Sequence, residues 1–192
     1  VVGYIGTLGL SHGLENMLDV AGLVRETRVK FLFVGGGAAR IMLIEGARRR
    51  GLDNIIFVPP QPKECTPSFW SICDVALVHL KNEPVFTTVI PSKIFEAMAM
   101  RLPILLAAPE GEGTRIIRNA GAGLCVPSGD PKALADAVLL LSQNPALCEQ
   151  LAARGFSSAP RFSRERQARE MLDVLERAVA RPRAKLTQAV ES

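Results

Sequence analysis

Val29-Lys30-Phe31-Leu32-Phe33-Val34-Gly35-Gly36-Gly37 is a short apolar run closed by three glycines. A run of this length, bounded by turn residues, reads as a buried strand. Downstream, Ile41, Leu43 and Ile44 among Ala and Arg predict a helix that ends at Gly51, a C-terminal cap. Ile55-Ile56-Phe57-Val58 reads as the next strand, stopped by Pro59-Pro60. Upstream, Val1 to Ile5 is a strand ending in Gly6-Thr7-Leu8-Gly9. Leu14, Met17, Leu18, Ala21 and Val24 then recur at three- and four-residue steps, one face of a helix.

The alternation continues to the end of the chain. A short helix is predicted around Pro67 to Ile72 and a strand over Val75 to Leu80. Lys81 to Ile90 shows no period and reads as a long loop, a place where function often resides. Pro91-Ser92 opens a helix to about Met100, followed by a strand from Pro103 to Ala107. A helix over Gly113 to Asn119 and a strand over Gly123 to Val126 come next. Asp130 is the N-cap of a further helix with Pro131 at its first position, and Leu134, Ala137, Val138 and Leu141 form its buried face. Pro145 to Arg154 is another helix. Ser163 caps the last, which runs to Ala180 with Ala168, Met171, Leu172, Leu175 and Val179 expected to face inward.

Strands alternating with helices predict an α/β fold: a mostly parallel sheet with helices on both faces. Ligands of such sheets bind at the carboxyl ends of the strands. The places to search are therefore Gly6-Thr7, Gly35-Gly36-Gly37, Val58-Pro59, the Lys81–Ile90 loop and Glu110-Gly111-Glu112-Gly113.

Composition narrows the class. The chain has 192 residues, 48% hydrophobic and 22% charged, which fits one domain, or one domain with a tail, and excludes intrinsic disorder. No apolar run approaches the roughly 20 residues of a membrane span. The net charge of +4 is too small to argue for nucleic acid. The basic residues cluster late: Arg154, Arg161, Arg164, Arg166, Arg169, Arg177, Arg181, Arg183 and Lys185. They read as a solvated helix face plus a basic flexible tail over 183–192, with a contact to an acidic surface as the alternative. The expected domain is therefore 1–182. Cys65, Cys73, Cys125 and Cys148 form no C-x-x-C pair and no His adjoins them, so neither zinc nor redox chemistry is expected. Cys73 and Cys125 read as small core residues of a cytoplasmic protein. The chain opens at Val1 on residues that already read as a strand, so more chain is expected upstream.

Two motifs carry chemistry. Gly35 and Gly37 meet the first half of a dinucleotide fingerprint, but Arg40 stands where a small residue should pack, and Val58-Pro59-Pro60 offers no acidic ribose ligand. A glycine turn is the better reading. The stronger signal is Pro91-Ser92-Lys93-Ile94-Phe95-Glu96-Ala97-Met98-Ala99. A helix mouth beside a lysine suits a phosphate, and a carboxylate one turn further in can accept from vicinal hydroxyls such as those of ribose. Read alone, Lys93 is equally a solvated first-turn residue and Glu96 a capping carboxylate.

That segment, together with Tyr4-Ile5-Gly6-Thr7-Leu8-Gly9, His12-Gly13-Leu14, Phe31 to Gly37, Gly51 to Pro59, Ser71 to Leu77, Gly121 to Pro127 and Gly129-Asp130, resembles the carboxyl-terminal domain of a retaining family-four glycosyltransferase with the two-domain GT-B architecture. Within the family it is most similar to enzymes of bacterial surface polysaccharide biosynthesis. The resemblance implies a Rossmann-like domain that binds a nucleoside diphosphate sugar, UDP- or GDP-linked, with no cofactor and no obligatory metal. It implies a missing amino-terminal domain that supplies much of the acceptor site, and retaining hexosyl transfer to a hydroxyl acceptor in the cleft between the two. An isolated half is expected to be inactive. A lipid-linked acceptor at a membrane surface would make the protein peripheral to the inner membrane.

Carried over residue by residue, the resemblance puts Glu96 on the ribose and Lys93 at the diphosphate. It adds Pro91, Ser92, Ile94, Gly6 and Thr7 at the donor phosphates, with Ser92, Ile94 and Gly6 acting through backbone donors, and Val58 and Pro59 at the base. Two departures stand out. The first Glu of the family's Glu-x7-Glu motif falls at Thr88, so sugar recognition must differ; Thr87 and Thr88 carry hydroxyls but no charge. The family's usual Arg and Lys at the first turn appear as Thr7 and His12. His12 reads otherwise as a surface histidine, His79 as a residue near the cleft, and Glu112 as a sugar contact or a helix cap. The last helix would turn back toward the partner domain. A nonhydrolysing sugar-nucleotide epimerase and a binding-only domain are the alternatives.

Overall fold

The computed structural model describes residues 1–180; the predicted tail at 183–192 lies outside them, as do Arg181 and Pro182. The chain forms two compact units that divide between Ala159 and Pro160. The first, Val1–Ala159, contains the whole sheet.

Its strands are β1 (Val2–Ile5), β2 (Phe31–Val34), β3 (Ile55–Val58), β4 (Val75–His79), β5 (Ile104–Ala107) and β6 (Gly123–Val126). All pairings are parallel, in the order β3-β2-β1-β4-β5-β6. The order reverses at β1, so the carboxyl ends of β1 and β4 diverge there and leave a crevice. The helices are α1 (Asn16–Leu23), α2 (Arg40–Arg49), α3 (Thr66–Ser71), α4 (Lys93–Ala99), α5 (Glu112–Ala120), α6 (Pro131–Gln143) and α7 (Pro145–Ser158).

The central strands β1, β2, β4 and β5 are buried at every position because both faces are covered, and all but His79 at the end of β4 are non-ionisable at neutral pH. Alternate residues such as Tyr4, Phe31, Phe33, Leu77 and Leu105 join the core formed with α1, α2 and α6. On β1 the side-chain space at Gly3 is filled from a neighbouring element: a Cβ there would lie 2.3 Å from Cys73 Sγ and 3.6 Å from the Trp70 ring. Trp70 is 1% exposed, and sealing an aromatic of that size contributes about 1.5–3 kcal/mol. Burial pushes the Cys73 thiol up to about 11, which fits an inert core residue. Cys125 is only half-buried, and its thiol is likewise raised to about 11, chiefly by burial.

Local chemistry explains the boundaries. Asp130 caps α6, accepting from the Ala133 N–H at 2.9 Å, and Asn144 caps α7 through Leu147 N–H at 3.1 Å. The helix predicted to end at Arg154 runs on to Ser158. Gly155 does not stop it; its missing side chain lets α7 approach Ala122, whose Cβ would be 3.1 Å from a Cβ at 155.

The second unit carries α8 (Arg164–Ala180), with Ser163 Oγ accepting from the Arg166 N–H at 3.2 Å, as its sequence predicts. The expected inward face is not buried: Met171, Leu172, Leu175 and Val179 are all more than half exposed. Helical period marks a stripe as apolar without specifying what covers it. Arg164, Arg166, Arg169 and Arg177 are solvent-exposed among Glu165, Glu170, Asp173 and Glu176, and Arg166 pairs with Glu170 at 2.7 Å, so this helix presents mixed charge rather than a basic surface. Among the described residues no helix is long and apolar enough to cross a membrane.

Candidate donor site at the carboxyl edge of the sheet

The first turn, Gly6-Thr7, leaves β1 with Gly6 at φ +131°, a conformation that L side chains rarely adopt. Lys93, on the first turn of α4, reaches back across it: a Cβ at Gly6 would lie 2.8 Å from Lys93 Cε and 3.1 Å from Nζ. The ammonium comes to rest 5.0 Å from the centre of the Tyr4 ring, a cation–π contact. Tyr4 is fully buried, and its hydroxyl donates to Thr7 O at 2.9 Å, fixing both the ring and the turn. Burial pulls the Lys93 pKa below the ordinary lysine value, and the Glu96 carboxylate opposes that shift. Among the described residues Lys93 forms no ion pair. A partly desolvated cation held on an aromatic face, with no carboxylate bonded to it, is a ready partner for an incoming anion.

Beside Lys93 a cleft of about 230 Å³ opens over the carboxyl ends of β1, β2 and β3. Gly6, Thr7, Gly35, Gly36, Pro60 and Gln61 form most of its wall, with Thr66 and Phe69 from α3. A larger depression of about 610 Å³ lies at the amino ends of β1, β2 and β4, around Val1, Val29 and Val75. That is the wrong end of a parallel sheet for a ligand site.

The structure sorts the sequence candidates. Gly6, Thr7 and Lys93 meet at one point. Two backbone donors expected at the phosphates are already committed: Gly6 N–H bonds Val34 O at 2.8 Å as the ladder continues, and Ile94 N–H bonds Pro91 O at 3.1 Å. This corrects their expected role. Thr7, Ser92 and Lys93 are the residues whose N–H groups make no such bond among the described residues. The α4 helix has only seven residues, and Ser92, at its N-cap, makes no side-chain capping bond. Ser92 Oγ instead donates to Glu96 at 3.2 Å, and both residues are exposed, so the Glu96 carboxylate is accessible from solvent. Pro91 is half-buried.

Val58 and Pro59 do not line the cleft. Val58 O accepts from Gly35 N–H at 3.1 Å, and Pro59 O from the Gln61 amide at 3.2 Å. The next two residues, Pro60 and Gln61, form the wall in their place. Gly35 serves the turn: a Cβ there would lie 2.0 Å from Gly6 O. Thr88 is exposed on the loop after β4, its hydroxyl 3.4 Å from Val85 O. Thr87 Oγ1 donates to Pro84 O at 2.8 Å.

The histidines depart from expectation. His79 is 1% exposed, and its Nδ1–H donates to His12 O at 2.6 Å. The carbonyl acceptor fixes the Nδ1–H tautomer. His79 is thus a core brace for the first turn and not a cleft residue. His12 is half-buried, edge-on to Tyr4 at 6.1 Å. Burial lowers its pKa first and the Lys93 charge second, with the Gly9 backbone opposing. It is therefore neutral at pH 7 and supplies no positive charge. Glu112 pairs with Arg115 at 2.8 Å, and Glu110 with Arg118 through two hydrogen bonds. Sequence reasoning missed Tyr4, Gln61, Thr66 and Phe69 as site residues. Tyr4 had one signal: it is the sole tyrosine of the chain and sits two residues before a strand-end glycine. Among the described residues no cluster of His, Cys, Asp or Glu could hold a metal ion.

Known proteins share this frame. The chain is 34% identical over 137 residues to the "Probable glycosyltransferase WbjE" of Pseudomonas aeruginosa, covering 69% of this chain and 33% of that protein. It is 35% identical over 134 residues to the D-inositol 3-phosphate glycosyltransferase of a Nocardioides species, covering 70% and 27%. The chain thus spans about a third or less of these two relatives. Among solved structures, Anabaena HepE in complex with UDP superposes with a TM-score of 0.78 at 19% identity, over 91% of this chain and 48% of that one. A sucrose-phosphate synthase of Thermosynechococcus elongatus superposes at 0.80 with 25% identity, over 93% and 45%. The family described as glycosyl transferases group 1 matches residues 1–158, which is nearly the whole sheet unit. With that match over most of its length, and with the Rossmann-like sheet of a GT-B carboxyl-terminal domain, the chain belongs to the group 1 glycosyltransferases.

Proposed function

We propose that this chain is the donor-binding half of a retaining hexosyltransferase that builds a bacterial surface polysaccharide, and that its donor is a UDP-sugar. The observation that carries the reading is Lys93, held over Gly6 on the Tyr4 ring with no carboxylate bonded to it, beside a cleft at the carboxyl edge. In this reading the uracil and ribose occupy the Gly35–Gln61 cleft, Glu96 accepts from the ribose hydroxyls, and the diphosphate lies against Lys93 and the Thr7, Ser92 and Lys93 N–H groups. The Anabaena neighbour holds UDP, which supports a uridine donor over a guanosine one.

In transfer, the bond between the anomeric carbon and the diphosphate oxygen breaks, and a bond from that carbon to the acceptor oxygen forms. The diphosphate departs with the electron pair of the broken bond, and its oxygen takes up the proton that the acceptor hydroxyl gives up. This chain's contribution is electrostatic. Lys93 and the uncommitted N–H groups stabilise the charge that develops on the departing diphosphate. The acceptor site belongs to the rest of the longer protein, so the isolated chain binds donor and does not turn over.

Calorimetric titration of the chain with UDP and with GDP tests this. UDP is expected to bind, and Lys93→Ala to weaken it about 10–100-fold, the worth of a charge-assisted bond to phosphate. No heat with either nucleotide at millimolar concentration contradicts the reading.

A further inference from the structure

The two edges of the sheet are finished differently. At one edge, β6 packs against α5, α6 and α7 as well as β5. At the other, the main packing of β3 among the described residues is against β2. The backbone of β3 is used on one side. Phe31 N–H donates to Asn54 O at 2.8 Å and Gly35 N–H to Val58 O at 3.1 Å, so Asn54, Ile56 and Val58 turn their peptide groups toward β2. By alternation, the N–H and C=O of Ile55 and Phe57 point out of the sheet. Among the described residues these groups make no backbone hydrogen bond.

An open edge is normally kept from pairing by charge, and this one has none: from Asn54 to Pro62 there is no ionisable side chain. One face of the strand is open as well. Ile55 and Phe57 pack against the core, whereas Ile56 on the opposite face is 50% exposed. Pro59 has no N–H, so pairing cannot run far past Val58.

We propose that β3 pairs antiparallel with β3 of a second copy of this chain, joining the two sheets about a two-fold axis at Ile56. The register follows from the strand itself. Residues with outward groups must face one another, which sets Ile55 opposite Phe57 of the second copy, and Phe57 opposite its Ile55. Each pair exchanges two hydrogen bonds, so every free group of these residues is satisfied. Ile56 then meets Ile56 of the second copy as a non-hydrogen-bonded pair, and the two exposed side chains cover each other. The neighbouring registers are worse: one sets Pro59 opposite Ile55, and the other draws Asp53, outside the strand, opposite Phe57. The same edge on both copies is what an isologous interface requires. A foreign strand could use the same backbone groups, but only a second copy puts two exposed isoleucines on the axis. The pairing stops before Pro60 and Gln61, so the cleft stays open and the inference is independent of the donor reading.

Sedimentation velocity on the 192-residue chain tests this. A contact of this size is weak, with dissociation expected in the range of about 10–500 μM. Between about 10 μM and 1 mM the average mass should therefore rise from one chain toward two. Ile56→Lys sets like charges on the axis and should weaken association about tenfold or more, with the thermal midpoint unchanged because the side chain is exposed. Ile56→Cys reads the register directly. The two Cα atoms would lie about 4.5 Å apart, within disulfide reach, so copper–phenanthroline should give a covalent dimer that dithiothreitol reverses. Val85→Cys, 63% exposed on the loop after β4, is the control and should not exceed the native chain. The mass of one chain throughout the range, association that Ile56→Lys leaves intact, or cross-linking at Ile56→Cys no faster than at Val85→Cys overturns the inference.

Discussion

The two sides of β1 meet the crevice with different materials. On the β2–β3 side the wall is largely backbone: Gly6, Gly35 and Gly36 bring main chain to the surface, and Gly35 has no room for a Cβ against Gly6 O. On the β4–β5 side the wall is side chain, carried on a long loop anchored at Gly111 and ending in Lys93. Backbone walls offer a fixed shape to a constant part of a ligand. Side-chain walls can change chemistry without changing the fold. In the proposed reading the nucleotide lies on the first side and the sugar on the second, with Lys93 at the seam.

Glycine replacement gives the largest expected effects and tests whether the sides differ in rigidity. Gly35→Ala forces a Cβ to 2.0 Å from Gly6 O at a φ of +146°, and the expected loss is about 3–4 kcal/mol in denaturant unfolding. Gly111→Ala brings a Cβ to 1.9 Å from Thr87 O, but its φ of 174° is one that any residue adopts, so a smaller loss of about 1–2 kcal/mol is expected. The two should also separate by ligand. Gly35→Ala should weaken UDP, whereas Gly111→Ala should spare UDP and reduce discrimination among UDP-sugars. Equal costs, or equal effects on UDP, would erase the distinction between the walls.

Glu96 comes next. Glu96→Gln should weaken UDP by about 1–2 kcal/mol and leave unfolding unchanged, since the carboxylate is exposed and bonded only to Ser92. A deoxyribose analogue should lose as much on the native chain and nothing further on the variant. An undiminished loss on the variant would take Glu96 off the ribose.

The smallest effect is a pH dependence of the seam. Burial lowers the pKa of His79 and of His12 below the usual histidine value of 6.5. The unfolded chain then binds more protons than the folded one, so stability rises with pH. It is complete above the unfolded value and is lost as pH falls through 6.5 toward the folded values. The midpoint of thermal unfolding should drop by a few degrees on acidification through this window, and the drop should be smaller in His79→Gln. A midpoint that rises on acidification would contradict the burial assignment.

Much of the sheet was legible because its strands, fully buried at the centre and half-buried at the edges, are short apolar runs bounded by glycine or proline. Ile55–Val58 and Gly123–Val126 were readable to the residue. Two kinds of information were not local. Whether Gly155 ends a helix or admits a neighbour depends on Ala122, more than thirty residues earlier in the chain. Whether the α8 stripe is covered depends on what meets it, which period cannot encode. At the site, residue chemistry singled out Lys93 and Glu96. The commitment of the Gly6 and Ile94 N–H groups, and the Tyr4 platform, follow from ladder register and three-dimensional packing. His79 was misplaced for a related reason, because the end of β4 turns inward to brace the first turn.

The most direct measurement is a crystal structure of the chain soaked with UDP. The account predicts the β-phosphate within about 3 Å of Lys93 Nζ, the distance of a charge-assisted hydrogen bond, with uracil between Gly35 and Gln61. A diphosphate bound away from Gly6, with Lys93 still folded onto Tyr4, would contradict it.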